Sequence, residues 1–168
     1  MYKALFLLCY HACLRIGEAV HSTSQAHTLQ MNQISKSAQG YFITFISYKH
    51  SDPSTHPKFL LSPLSTFYYC LVQAMDRYIA VRGNTPGPLF IQQANLPVNR
   101  ASFVHFLNKC LVTSNLQVSR YNTHSFRIGR ATQMAMDGHT NDQIKAAGRW
   151  KSSAFLKYIR PSYFTLPS

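Results

Sequence analysis

Residues 147–160 read Ala147-Gly148-Arg149-Trp150-Lys151-Ser152-Ser153-Ala154-Phe155-Leu156-Lys157-Tyr158-Ile159-Arg160. Gly148 punctuates a helical pattern, the only tryptophan of the chain follows at Trp150, and Tyr158 stands on a short basic helical segment beside Lys157 and Arg160. A tyrosine so placed either packs in a core or offers its hydroxyl to an anion drawn in by the surrounding cations. Upstream, Thr123-His124-Ser125-Phe126-Arg127 puts a histidine and an arginine three residues apart at a helix start. Positions i and i+3 share a helix face, so both side chains can address one ligand. Arg127, Arg130, Lys145, Arg149 and Lys151 gather in this part of the chain, with Lys157 and Arg160 closing the run. A solvated basic face has the same composition, so the run alone assigns no chemistry.

At the other end of the chain, Leu5, Leu8, Cys9 and Ala12 recur at helical spacing and predict a helix over the first fifteen or so residues. The pattern begins at Met1 with no capping residue ahead of it, so the chain is expected to be truncated at its N-terminus. Within Ala12-Cys13-Leu14-Arg15-Ile16-Gly17-Glu18-Ala19, an arginine lies among apolar residues, which is costly unless it is paired or reserved for an anion. Glu18, three residues on and one of only five acids, is within helical pairing distance.

Seventeen Lys and Arg against five Asp and Glu give a formal charge of +12 over 168 residues. A hydrophobic fraction of 46% is far above that of a disordered basic tail, so the charge belongs to a folded domain and points to a polyanionic partner. No run of about 18 apolar residues exists, which argues against a membrane-spanning helix. The apolar start lacks a small-residue cleavage site and is not read as a signal peptide. Cys9, Cys13, Cys70 and Cys110 lack metal-ligand spacing and read as reduced core thiols of an intracellular protein.

The β-branched and aromatic stretches from Leu29 to Ile34 and from Tyr41 to Tyr48 predict two strands around Gly40, and Lys58 to Leu61 a third. Prolines keep the segment from His50 to Pro57 out of the ladder. Ser65 is expected to cap a helix ending near Gly83, and Asn99 to cap another. The stretch from Thr123 to Pro161 reads as three short helices divided at Gly138 and Gly148. The fold class is therefore mainly α with a small antiparallel β-sheet, in a single domain over residues 1–168.

Taken together and in this order, Arg15 within Leu-Arg-Ile-Gly-Glu, a lysine beside a β-turn, His124-x-x-Arg127, Gly148-Arg149-Trp150 and Tyr158 resemble the catalytic domain of tyrosine recombinases, the phage-integrase family. The resemblance runs from about residue 4 to residue 162. The Gly-Arg-Trp motif with its Tyr-Ile-Arg ending is most similar to integrases of eukaryotic mobile elements. The resemblance implies the DNA breaking-rejoining enzyme fold. It also implies cleavage and rejoining of double-stranded DNA through a 3′-phosphotyrosine, in site-specific recombination or integration, without cofactor or metal. Self-association into a tetrameric synapse on DNA, and a nuclear location if the source is eukaryotic, come with it. The family's N-terminal clamp domain has no counterpart in the chain.

Carried onto this sequence, the resemblance makes Tyr158 the nucleophile and Arg15 and Arg127 the arginines that grip the phosphate. His124 hydrogen-bonds the phosphate and assists proton transfer, Glu18 orients the first arginine, and Lys49 protonates the departing 5′-oxygen, with Lys58 at the other end of the turn as its rival. The family's histidine or tryptophan, nine residues before the nucleophile, falls on Arg149, with Trp150 one residue later. Either fills the role, Arg149 as a third guanidinium or Trp150 through its indole N–H, and core packing accounts equally well for Trp150. Arg130, Lys145, Lys151, Lys157 and Arg160 become contacts to the DNA backbone. Two other readings stand beside this one: a non-catalytic DNA-binding remnant of a mobile-element integrase, and a type IB topoisomerase-like enzyme.

Overall fold

The computed structural model describes residues 1–21, 27–48, 54, 56–63 and 70–160. Helix α1 spans Tyr2–His11 and buries Ala4, Leu5, Leu8 and Cys9, the stripe that the apolar spacing predicts. Leu5 and Leu8 are fully buried, each contributing roughly 1.5–3 kcal/mol of transfer free energy. The helix stops earlier than its apolar pattern suggests. Cys13 adopts a left-handed conformation at φ 47°, and Arg15 becomes the extended cap of a second, short helix α2, Ile16–Ala19. The break has a physical cause: the turned Cys13 carbonyl accepts a hydrogen bond from Arg127 Nη1.

Three strands follow, β1 (Ile34–Ser37), β2 (Gly40–Thr44) and β3 (Lys58–Leu61), in an antiparallel sheet of order β1-β2-β3. Register pairs Ile34 with Ile43 and Tyr41 with Leu61. Gly40 has φ 129°, and a Cβ there would lie 2.1 Å from the Leu61 carbonyl oxygen, so only glycine fits this turn. The strand expected from Leu29 to Ile34 begins only at Ile34. Residues 31–33 form a 3-10 turn, because the Gln33 side chain accepts the Gln30 amide at 2.8 Å and folds the segment back on itself. The second strand ends at Thr44, short of the expected Tyr48. Asp76 fastens the sheet to the next helix by accepting hydrogen bonds from Lys36 Nζ and the Tyr41 hydroxyl, both at 2.6 Å.

That helix, α3, spans Leu71–Arg82 and packs against α1; Ser65, its expected cap, lies outside the described residues. Arg82 closes the following loop by donating to the carbonyls of Gly83, Thr85, Pro88 and Leu89. Helix α4, Arg100–Thr113, is capped as expected: Asn99 Oδ1 accepts the Ser102 amide at 2.9 Å. Helix α5, Ser125–Met136, lies against α1, and α6, Asn141–Gly148, packs on α5. A 3-10 helix over Ser153–Tyr158 takes the place of the third short helix. The main core gathers α1, α3, α4 and the sheet around Leu5, Leu8, Ile43, Met75 and Phe103. A smaller one of Ala131, Met134, Ile144 and Phe155 joins α5, α6 and the 3-10 helix, with Trp150 and Tyr158 at its margin. The architecture is mainly α with one small antiparallel sheet.

Candidate active site

Arg127 is the centre around which the singled-out residues assemble. It sits in the first turn of α5 and is only 1% exposed, the largest fully buried side chain among the described residues. Its Nη1 donates to the Cys13 carbonyl at the end of α1, and its Nη2 donates to the Gly148 carbonyl at the end of α6, at 2.5 Å. One guanidinium thus ties three chain segments together. Its Nε–H is buried without a partner, and two of its five N–H groups account for the bonds just named. Burial, then the positive charges of Arg15 and Arg149, lower its pKa, while Cys13 and Glu18 oppose the shift.

Trp150 stacks on this guanidinium, with the ring centroid 4.0 Å from Arg127 Cζ, and the Tyr158 ring lies 5.6 Å from the same atom. The rings of Trp150 and Tyr158 are 5.2 Å apart, and the His124 ring is 6.5 Å from that of Tyr158. The glycine two residues before the tryptophan is required here: a Cβ on Gly148 would lie 1.7 Å from the Trp150 ring.

His124 is the residue before α5, and its amide is held by Asn122 Oδ1 at 2.8 Å. Burial lowers its imidazole pKa below 6.5, with repulsion from Arg127, Arg100 and Arg15 acting in the same direction. The neutral ring therefore prevails at pH 7, able to accept a proton. An NMR titration of the DNA-free protein is expected to place the His124 midpoint below 6.5. The sign follows by linkage: a depressed histidine pKa favours the fold above the unfolded value and weakens it as pH falls through the folded one.

Arg15 and Arg149 are joined by Glu18. The carboxylate is 1% exposed. Its Oε1 lies 3.2 Å from Arg15 Nη1, while its Oε2 accepts the Arg15 amide at 2.9 Å and Arg149 Nη2 at 2.6 Å. The expected Arg15–Glu18 contact therefore forms across a helix cap rather than along a continuous helix. Arg15 keeps its side chain 25% exposed, whereas that of Arg149 is 2% exposed. Arg149 also donates to the Ala12 carbonyl at 3.0 Å and lies 4.0 Å from the Phe45 ring centroid. Its backbone is left-handed, φ 54° and ψ 42°, which turns its side chain inward and leaves Trp150 to face Arg127.

The remaining cations divide by exposure. Lys151, Lys157 and Arg160 are exposed, Lys145 and Arg130 half-buried. Arg130 turns inward: its Nε is buried without a partner, and its Cζ lies 5.9 Å from the Tyr10 ring centroid. Lys58 is exposed and its Nζ lies 4.5 Å from the Phe42 ring centroid. Lys49 lies outside the described residues.

One residue near the site escaped the sequence reading. Thr132, fully buried on α5, donates its hydroxyl to the Tyr158 carbonyl and accepts the Arg160 amide, both at 3.0 Å. A second polar residue, after Arg127, on the buried face of α5 was the available signal. Among the described residues no group of three or more His, Cys, Asp or Glu could hold a metal ion, and no helix is long and apolar enough to cross a membrane. A cleft of about 630 Å³ opens between α1 and α3, lined by Lys3, Ala74, Arg77 and Tyr78, and none of the site residues borders it.

Residues 1–163 match the model of the phage integrase family. Among solved structures, the Tn1549 transposon integrase in complex with circular intermediate DNA superposes with a TM-score of 0.59 at 18% identity, over 94% of this chain and 54% of that one. A point variant of the same integrase bound to transposon right end DNA gives a TM-score of 0.56 at 16% identity, over 99% of this chain and 54% of that one. The chain thus spans about half the length of the solved structures that it matches. At these identities the likeness concerns the fold. Among curated protein sequences no match is found.

Proposed function

Because the chain belongs to the phage integrase family, we propose that it is the catalytic domain of a tyrosine recombinase that breaks and rejoins DNA in the movement of a mobile element. The observation that carries the proposal is the convergence of His124, Arg127, Trp150 and Tyr158, from three separate segments, around a buried guanidinium. In this reading the Tyr158 oxygen attacks a DNA phosphorus. A P–O bond to Tyr158 forms, the bond to the 5′-oxygen breaks, and a 3′-phosphotyrosine results. Neutral His124 takes the tyrosine proton. Lys49 returns one to the departing 5′-oxygen, a role its place after β2 favours over that of Lys58, whose ammonium is drawn to the Phe42 face. Rejoining is the reverse, with a 5′-hydroxyl as nucleophile.

Negative charge grows on the non-bridging phosphate oxygens as the phosphorus becomes five-coordinate, and planar guanidiniums stabilise it through paired hydrogen bonds. Arg15, partly exposed, is the donor that faces outward, and the buried guanidinium of Arg127, set beside Tyr158, adds its positive charge to the same place. Trp150, beside both Arg127 and Tyr158, takes the position that the family gives to histidine or tryptophan. The exposed Lys151, Lys157 and Arg160 track the DNA backbone, which makes binding fall steeply with salt.

The test is incubation with a nicked suicide duplex followed by a denaturing gel. A protein–DNA band that survives denaturation supports the proposal; salt-sensitive binding with no such band on any substrate speaks for a binding module instead. Thr132→Val, close in volume but without the hydroxyl, is expected to slow adduct formation about tenfold by freeing the Tyr158 and Arg160 backbone, the loss typical of a weakened support for a reacting group. Thr132→Ser should restore most of the rate.

A further inference from the structure

Arg149 occupies the place at which the sequence offered a third guanidinium for the phosphate, yet its buried Nη2 is already committed to a carboxylate, that of Glu18, at 2.6 Å. We propose that Arg149 is a positioning residue that acts through Glu18, holding the carboxylate so that it orients Arg15 without cancelling the positive charge of the site. The proposal rests on the reading of Arg15 and Tyr158 given above.

The geometry supplies the reason. Glu18 pairs with two guanidiniums, those of Arg15 and Arg149. With Arg15 alone it would form a neutral pair, and an approaching phosphate would meet an arginine already compensated. Arg149, with its shorter contact of 2.6 Å against 3.2 Å for Arg15, is the more tightly held counter-charge. It balances the carboxylate of Glu18 in a desolvated position, and a net positive charge remains on the side that Arg15 exposes. Arg149 Nη1 also holds the Ala12 carbonyl at 3.0 Å, which fixes the end of α1. The next carbonyl, that of Cys13, is the one held by Arg127. At its other end, the left-handed backbone of Arg149 forms the corner whose Gly148 carbonyl accepts Arg127 Nη2. Arg15, which faces outward, and the buried Arg127 beneath Tyr158 are therefore both referenced to Arg149, a side chain that itself never reaches the DNA.

The experiment is a cycle of substitutions in the full chain, read as the rate of adduct formation and, separately, as affinity for intact duplex. Arg149→Met is expected to slow adduct formation about 100-fold with duplex affinity within about twofold of the parent, a loss typical for disturbing a preorganised donor. Arg149→Lys should retain at least about a tenth of the parent rate by keeping the charge. Glu18→Gln should cost about as much as Arg149→Met, and the double variant no more than either alone, since residues acting as a unit are non-additive. Multiplicative losses would mean that Arg149 touches the phosphate itself and overturn the proposal; a loss below about threefold in Arg149→Met would overturn it as well. Should Arg149→Met fail to fold, the comparison of Glu18→Gln with the double variant, in which no unpaired carboxylate is buried, carries the same test. A readout independent of cleavage is the ¹⁵N NMR signal of the Arg15 guanidinium, expected to be sharp in the parent and broadened in Arg149→Met. An unchanged signal overturns the proposal, whereas the expected change without any Tyr158-dependent adduct shows that it is the catalytic reading that has failed.

Discussion

Tyr158→Phe is expected to bind duplex DNA as the parent does, to unfold at the same temperature, and to form no covalent adduct, a loss on the order of 10⁴-fold or more as for other removed nucleophiles. The separation of these readouts follows from the geometry. The phenyl ring retains the contacts of the tyrosine with Trp150 at 5.2 Å and with the Arg127 guanidinium at 5.6 Å. The clasp from Thr132 reaches the backbone of residue 158 and not its side chain. Among the described residues the Tyr158 hydroxyl makes no hydrogen bond, so its removal orphans no buried partner. Only the nucleophile is lost. A fall in melting temperature on this substitution would instead mark the tyrosine as a packing residue.

Arg127→Lys is the second large expected effect, and here catalysis and stability fall together. A lysine keeps the charge but lacks the planar fork that reaches the Cys13 and Gly148 carbonyls at once. At least one of these carbonyls is left without its partner, at a cost of about 1–3 kcal/mol, measurable as a lower denaturant midpoint. Adduct formation should drop by about 10²–10³-fold, the loss typical of a removed donor to developing charge. Arg127→Ala orphans both carbonyls and opens a void beneath Trp150, so it is expected to unfold too readily for a clean rate. The lysine variant is therefore the informative one. If Arg127→Lys cleaved at the parent rate while melting early, Arg127 would be a strut of the fold alone.

What could be read in the sequence is what depends on local pattern. The apolar stripe of α1, the Asn99 cap of α4, the sheet around Gly40 and the breaks near Gly138 and Gly148 follow from spacing, capping and turn chemistry. The errors fall where a distant group overrides the local preference. The first helix was expected to run through Arg15, but Arg127, far along the chain, draws the Cys13 carbonyl out of the helical direction. The strand expected from Leu29 was lost to a glutamine side chain that satisfies a backbone amide and bends the segment.

The site shows the same division. Its residue types were legible one by one, because an arginine among apolar residues and a His-x-x-Arg pair are visible in one dimension. Which side chain turns in and which turns out was not. Arg149 and Trp150 are neighbours in sequence, and a single left-handed residue sends one to Glu18 and the other to Arg127. Spacing carries no record of such a turn when the residue is not glycine. Thr132 was missed for a related reason, since its value lies in a contact with the backbone on either side of Tyr158 rather than in its own chemistry.

The central claim, that Tyr158 becomes joined to DNA, is tested most directly by isolating the adduct formed on a nicked suicide duplex, digesting protein and DNA, and sequencing the nucleotide-bearing peptide by mass spectrometry. The expected result is a single modified tryptic peptide that begins at Tyr158 and continues through the trypsin-resistant Arg160–Pro161 bond, carrying a nucleotide through its 3′-phosphate on the Tyr158 oxygen. Attachment at any other residue, or an adduct that persists in Tyr158→Phe, contradicts it.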